Sequence, residues 1–349
     1  MAGPPGAAAE SGAEAGRSRP AGPRRAGRDP GGPGLPVTSG PHDGLVVAVV
    51  GATATGKSDL GVALARALDG EVVNADAMQL YRGMDVGTAK LPVAERQGVP
   101  HHLLDVLDVA QEATLAAYQR AVEAALGDVL ARGRVPVLVG GSGLYVRAAL
   151  DLLEIPPTDP AVRAELEVEA ERLGAAAMHA RLAELDPASA GRILPGNVRR
   201  VVRALEVVRL TGRPFSATLP EPAYRRTAVQ IGLRAPRPEL DQRIGVRVRS
   251  MWDAGLLAEV QRLLPLGLRE GRTAMRAVGY AQALGQLDGR LDEHEAMDET
   301  ARLTRRLVRR QESWFARDDR IAWLPHDAPD LLEQALGEVG AAGSAARTG

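Results

Sequence analysis

Gly51-Ala52-Thr53-Ala54-Thr55-Gly56-Lys57-Ser58 has the spacing G-x-x-x-x-G-K-[ST], the signature of a loop built to hold phosphate. Its glycines let successive backbone N–H groups converge on phosphate oxygens, and a helix starting at Lys57 aims its positive end at them. Lys57 adds a mobile point charge, and the Ser58 hydroxyl can ligate Mg²⁺. Only Lys57 and Lys90 among the 43 cationic side chains are lysines, so a lysine at this position is not background. The loop calls for a phosphorylated ligand. It leaves open whether that ligand is a nucleoside triphosphate such as ATP or another diphosphate.

Other groups lie along the chain at positions that suit a site. Asp76 follows the strand candidate Glu71–Asn74, where a parallel sheet presents side chains to its ligand crevice. It reads as a ligand-facing carboxylate, a cap for the next turn or a carboxylate that orders Mg²⁺. Gly140-Gly141-Ser142-Gly143 follows a strand and opens a helix, as a tight turn does. The tandem His101-His102 has no metal-ligand spacing and reads as a packed, hydrogen-bonded pair. Arg199, Arg200 and Arg203 recur at helical spacing with valines and a leucine opposite them, and residues 197–213 carry a local charge of +4. Residues 301–317 carry +5, offset by the acidic stretch Leu287–Thr300. Either basic face taken alone reads as a solvated helix surface.

The elements that must position these groups alternate β with α. Residues 45–50 (LVVAVV) are an unbroken apolar run, 71–74 (EVVN) read as a second strand and 135–141 (VPVLVGG) repeat the theme, with helical periodicity over 57–68 and 113–131 between them. Such runs are strands covered on both faces, so a parallel sheet flanked by helices is expected. After residue 154 the texture changes to helix formers with Asp/Pro punctuation, and strands return at 228–233 and 320–324. The expected organisation is a disordered tail over 1–43, a P-loop α/β core over 44–154 and a helical insertion over 155–222. The core is completed over 223–338 and followed by a disordered tail over 339–349. The first 43 residues hold 26 Gly, Pro and Ala without apolar periodicity, which cannot bury enough to order a chain.

Composition excludes several classes. There is no cysteine, hence no disulfide framework, thiolate metal site or cysteine nucleophile. A net charge of −1 argues against a polycationic coat for nucleic acid or membrane, and no apolar run has the length of a membrane span. A cytoplasmic location is expected.

Beside the phosphate loop stand Asn74–Tyr81, Arg82–Lys90, Pro100–Asp105 and Gly140–Tyr145. With these segments in order, the chain resembles the tRNA dimethylallyltransferase (isopentenyltransferase) family from about Val46 to Trp323. The resemblance implies a P-loop α/β fold with an inserted all-helical unit. It also implies transfer of a dimethylallyl group from dimethylallyl diphosphate to N6 of the adenosine 3′ of the anticodon, in tRNAs reading U-initial codons. It places the diphosphate on Gly51–Ser58, with Thr53 and Arg247 among the catalytic groups, and makes Asp76 the acceptor for the adenine N6 hydrogens and the general base. A guanidinium suits the role of Arg247 because it engages two phosphate oxygens in one plane.

The same resemblance assigns tRNA contacts to Asp76, Ala77, Met78, Gln79, Ser142, Arg163, to Arg199, Arg200, Val201, Val202, Arg203, and to Arg276, Ala277, Val278, Gly279, Tyr280, Ala281. Gln79 can offer donor and acceptor to a base edge, and Tyr280 can stack on a base or pack. Mg²⁺ is the expected cofactor, and the anticodon stem-loop and dimethylallyl diphosphate are the expected partners of a monomeric enzyme. Ala52 and Ala77 replace a common proline and a common serine of the family. The target base must leave its stack to be modified, which a loop base does at a cost of a few kcal/mol. Two rivals stand beside this reading: a P-loop small-molecule or nucleotide kinase, and a non-enzymatic RNA-binding module on a P-loop core.

Overall fold

The structure is a computed structural model that describes residues 44–218 and 222–348; the tail expected over 1–43 lies outside the described residues. The run Val46–Gly51 forms β1, in which every residue is buried. The phosphate loop follows, and then α1 (Lys57–Ala67). Next come β2 (Glu71–Asn74), the two-residue β3 (His101–His102), α2 (Leu115–Ala131), β4 (Pro136–Val139) and α3 (Gly143–Leu150). Four helices follow: α4 (Pro160–Leu173), α5 (Ala175–Leu185), α6 (Pro187–Ala190) and α7 (Val198–Thr211). The chain returns to the sheet with β5 (Ala228–Arg234) and continues with α8 (Arg237–Asp253), α9 (Leu256–Leu263), α10 (Tyr280–Leu287), α11 (Glu293–Phe315), β6 (Ile321–Pro325) and α12 (Leu331–Thr348).

The six strands form one sheet in the order β3-β2-β4-β1-β5-β6, and all pairs are parallel. This is the parallel, helix-covered sheet that the unbroken apolar runs require. β1 lies between β4 and β5, and the chain leaves β1 toward β2 but leaves β4 toward β5. The crevice between the C-terminal ends of β1 and β4 is therefore the switch point, where an α/β sheet binds its ligand. One face of the sheet packs on α2 and α3 around Tyr118, Leu126, Leu138 and Leu150. The other packs on α1 and α12 around Leu64, Val137 and Ile231.

β3 is a strand that periodicity does not reveal, since it comprises the histidine pair alone. His101 Nδ1 donates to the Val99 carbonyl at 2.9 Å, and His102 Nε2 lies 2.5 Å from Glu71 Oε2. Burial pushes the Glu71 carboxyl up, but Arg132 and His102 outweigh it and hold the group below its ordinary value. The expected disordered tail over 339–349 is corrected: α12 continues through Thr348. Ala335 and Val339, one turn apart, are buried against the sheet, with Leu331, Leu336 and Ala342 packed beside them. An apolar stripe at helical spacing has a surface to cover here, which composition alone does not reveal.

Helices α4 to α7 hold a core of their own, built from Leu166, Met178, Leu182, Val201 and Leu205. The two ends of the insertion meet where Asp151 bridges Tyr224 in antiparallel fashion. Inside the insertion the buried Glu206 accepts from the Thr158 hydroxyl (2.7 Å), the Asp159 amide (2.9 Å), Arg163 (2.6 Å) and Arg203 (2.8 Å). Burial pushes the Glu206 carboxyl up, but the two guanidiniums and the other donors pull it down to about 2. The sign of the linkage follows. Between about 4.5, the ordinary value, and about 2 the unfolded chain binds more protons than the folded one. The contribution of Glu206 is complete above pH 4.5 and is lost as the pH falls toward 2. Amide exchange in α4 and α7 should accelerate over that window, and Glu206→Gln should remove most of the acid-dependent part.

Candidate active site

At the switch point the loops after β1 and β4, the segment after β2, residues 88–92 and α8 enclose a cavity of about 780 Å³. Its wall includes Thr53, Ala54, Gly56, Lys57, Ser58, Asp76, Gln79, Thr88 and Arg247. The phosphate loop needs unusual backbone angles: Gly51 has φ 131°, Ala54 67° and Gly56 84°. A Cβ on Gly51 would stand 2.7 Å from the Leu233 carbonyl oxygen, so only glycine lets β1 turn out beside β5. Thr55 is buried and its hydroxyl donates to the Ala52 carbonyl at 2.9 Å, so it shapes the loop from beneath.

Lys57 Nζ donates to the Ala52 carbonyl at 2.5 Å. Burial drives its pKa down from 10.5 to about 8; Asp76 acts in the opposite sense and Arg247 reinforces the fall. Arg247, on α8, donates to the Thr88 carbonyl at 3.4 Å, and burial lowers its pKa against the pull of Asp76. Two partly buried cations and one carboxylate thus line the same cavity. Asp76 Oδ1 accepts from the Met78 amide at 2.9 Å while the side chain lines the cavity, so capping a turn and facing a ligand coexist in one residue. Gln79 lies in the same wall, with Nε2 donating to the Thr88 carbonyl at 3.3 Å.

Among the described residues, no group of three or more acidic, histidine or cysteine side chains could hold a metal ion. The Ser58 hydroxyl, on an exposed residue of the same wall, is a hard oxygen donor of the kind that suits Mg²⁺.

The sequence model described as IPP transferase matches residues 79–318. The tRNA dimethylallyltransferase of Kineococcus radiotolerans is 65% identical over 291 residues, covering 82% of this chain and 91% of its own. That of Thermobifida fusca is 62% identical over 299 residues, covering 84% and 94%. The chain belongs to the IPP transferase family. The tRNA isopentenylpyrophosphate transferase of Bacillus halodurans superposes with a TM-score of 0.65 at 36% identity, covering 87% of this chain and 99% of that one. A eukaryotic dimethylallyltransferase shares the fold at a TM-score of 0.72 and 24% identity, over 84% of this chain and 76% of its own.

Family membership makes the placement of the remaining expected residues informative. Arg199 and Arg200 are exposed on α7 and form no side-chain hydrogen bond or ion pair among the described residues. Arg163 and Arg203 are instead held on Glu206, and Arg203 also donates to the Pro156 and Pro157 carbonyls. Val201 and Val202 point into the helical core at 0% and 2% exposure. Ser142 Oγ accepts from the Ala77 amide at 3.3 Å, tying the loop after β4 to the segment that carries Asp76. Arg276 is exposed, whereas Ala277 and Gly279 are buried, Val278 and Ala281 are partly covered, and Tyr280 is 0% exposed. Tyr280 packs rather than stacks on RNA: its hydroxyl donates to Glu259 at 2.5 Å, and its ring occupies the space that a Cβ on Gly87 would fill.

Three residues at the site have roles that sequence reasoning did not supply. Glu259 accepts from the amides of Asp85 (3.0 Å), Val86 (2.8 Å) and Gly87 (3.2 Å), fixing the loop whose Thr88 carbonyl holds Arg247 and Gln79. Lys90 is buried and donates to Asp85 (2.6 Å), Asp105 (2.6 Å) and the Tyr81 carbonyl (2.9 Å). Gln311 touches both lips of the crevice. A glutamate or glutamine within a helix has too many ordinary roles for its type alone to mark it. Lys90 does stand out as one of two lysines, and the structure supplies its physical role.

An anion beside Nζ favours the charged form of Lys57, so binding above pH 8 requires proton uptake. Affinity for inorganic pyrophosphate should fall about tenfold per pH unit above 8. Calorimetric titration from pH 7 to 10 measures it, and Lys57→Met should weaken binding at pH 7 and flatten the profile.

Proposed function

We propose that the protein transfers a dimethylallyl group from dimethylallyl diphosphate to N6 of the adenosine 3′ of the anticodon, in tRNAs reading U-initial codons, and releases diphosphate. The observation that carries this reading is the one cavity that Lys57, Arg247 and Asp76 line together. A phosphate-binding end and a proton-accepting end are what displacement of an allylic diphosphate by an amine requires. The bond from the primary allylic carbon to the diphosphate oxygen breaks, the bond from N6 to that carbon forms, and Asp76 takes the N6 proton. Lys57 and Arg247 hold charge on the leaving oxygens, beside the loop amides and the Thr53 side chain. Ser58 is the residue that would hold Mg²⁺, which would add charge neutralisation on the leaving group. Relatives and solved neighbours that act on tRNA support the RNA substrate.

Exposed arginines supply the RNA-facing charge. Arg199 and Arg200 on α7, Arg276, and Arg306, Arg309 and Arg310 on α11 all stand in solvent. A monomer working in the cytoplasm is part of the same proposal; no helix of the described residues is long and apolar enough to cross a membrane.

Incubation with labelled dimethylallyl diphosphate, Mg²⁺ and an unmodified tRNA with adenosines at and beside the target position should place label in RNA. Phosphoryl transfer from ATP without such labelling would point to the kinase reading instead. Asp76→Ala should lower prenyl transfer by orders of magnitude while tRNA affinity stays near normal; parallel loss of both would make Asp76 a binding residue. Charge removal at Arg199 and Arg200 should weaken tRNA binding and reduce its salt slope by about 1 to 2 without altering pyrophosphate affinity. Neutralising Arg163 or Arg203 should act mainly through stability, because both are bound to Glu206.

A further inference from the structure

Gly140, Gly141 and Gly143 each leave room for a different neighbour. A Cβ on Gly140 would lie 2.3 Å from the Ala75 carbonyl oxygen, one on Gly141 would lie 2.5 Å from Gln311 Nε2, and one on Gly143 would lie 2.0 Å from the Trp314 ring. Gln311 and Trp314 are three residues apart on α11, on one helix face. The glycines after β4 thus admit the segment bearing Asp76 on one side and a turn of α11 on the other.

Gln311 reaches across that bare backbone to the opposite lip of the crevice. Its Nε2 donates to the Gly141 carbonyl at 3.0 Å, and its Oε1 accepts from the Thr53 amide at 3.0 Å. Thr53 lines the cavity, but its amide is occupied by the protein rather than open to phosphate. A neutral carboxamide can donate to one lip and accept from the other at once; a carboxylate, an ammonium or a thioether cannot do both.

We propose that Gln311 is a positioning residue for the diphosphate. It fixes the separation of the loops after β1 and β4 and the course of the backbone at Thr53, so the phosphate loop meets its ligand already shaped. This inference rests on the diphosphate reading of the cavity given above. Without Gln311, Thr53 would have to be ordered by the ligand itself, and that cost would appear as weaker diphosphate binding.

The test uses the full-length protein, steady-state prenyl transfer with dimethylallyl diphosphate and tRNA varied separately, and calorimetric binding of inorganic pyrophosphate. Gln311→Met preserves length and removes both hydrogen bonds. It should raise the KM for dimethylallyl diphosphate and the Kd for pyrophosphate about tenfold, a loss of the size of one or two ordinary hydrogen bonds, and leave the KM for tRNA within about twofold. A merely structural role would lower kcat through a smaller folded fraction and leave both KM values in place. Gly141→Ala, which displaces the Gln311 side chain, should raise the pyrophosphate Kd in the native background and change it little when combined with Gln311→Ala. Unchanged pyrophosphate affinity in Gln311→Met, or full additivity of Gly141→Ala with Gln311→Ala, would overturn the proposal. If the native protein binds pyrophosphate but transfers no prenyl group, the reaction assignment fails while the Gln311 inference is still decided by pyrophosphate. If it binds no pyrophosphate, both fail.

Discussion

Lys57 holds an ammonium beneath the loop Gly51–Ser58 with the Ala52 carbonyl as its hydrogen-bond partner, and burial weakens its hold on the proton. A desolvated cation with a neutral partner is stabilised by whatever anion arrives, and the rest of the site serves to select that anion. Arg247 doubles the positive charge, so the ligand must carry more than one negative charge to satisfy both. Asp76 limits the excess and keeps an acceptor within the field of the two cations in the same cavity. The parallel sheet is what permits this crowding. At the C-terminal ends of β1, β2 and β4 the backbone itself is paired, which leaves the loops free to turn sharply and present amides.

Lys90 shows the opposite use of the same side chain. Its ammonium is buried, yet two carboxylates and a carbonyl satisfy it. It ties the segment around Tyr81 and Asp85 to Asp105, while Glu259 gathers the next three amides from below. Between these two anchors the Thr88 carbonyl is held where Arg247 and Gln79 can reach it. The orientation of the Arg247 guanidinium therefore depends on the buried charges of Lys90 and Glu259. With Lys90, the structure distinguishes a lysine held as a closed ion pair from one left open for a ligand, although both follow a glycine-bearing segment.

The legible parts of the sequence were those in which adjacent residues cooperate. The phosphate loop, the strand before it and the helix after it are contiguous, and so are the apolar runs that became β1, β2, β4, β5 and β6. Asp76 was legible because its position at a strand end is itself local. Gln311, Glu259 and the pairing of Arg163 with Glu206 were not. Their partners lie 258, about 173 and, for Arg163, 43 residues away, and no spacing rule relates them. Tyr280 illustrates the same limit: a tyrosine after glycine is equally suited to stacking and to packing, and only the approach of Gly87 decides between them. The strand β3 escaped for another reason, since two residues carry no period.

A protein of net charge −1 can still meet RNA if its arginines divide into two populations. One population is bound inward. Arg163 and Arg203 neutralise Glu206, and Arg320 lies over the Tyr224 ring at 4.1 Å while pairing with Asp151 and Asp318. These guanidiniums hold the stem and the base of the helical insertion, where planar, multidentate geometry matters more than the sign of the surface potential. The second population, Arg199 and Arg200 on α7 with Arg306, Arg309 and Arg310 on α11, has no acidic partner among the described residues to displace before it meets a phosphate, unlike Arg209 and Arg302, which pair with Glu165 and Glu299. Contacts from this set cost less desolvation and no broken ion pair, so affinity should follow the few free arginines rather than the total. The insertion leaves the sheet after α3 and returns at β5, with both ends pinned at Asp151 and Tyr224. Its free arginines are therefore carried on a unit whose attachment is set by the inward population. Orientation comes from one group of arginines and attraction from the other, which is why the overall charge says little about the partner.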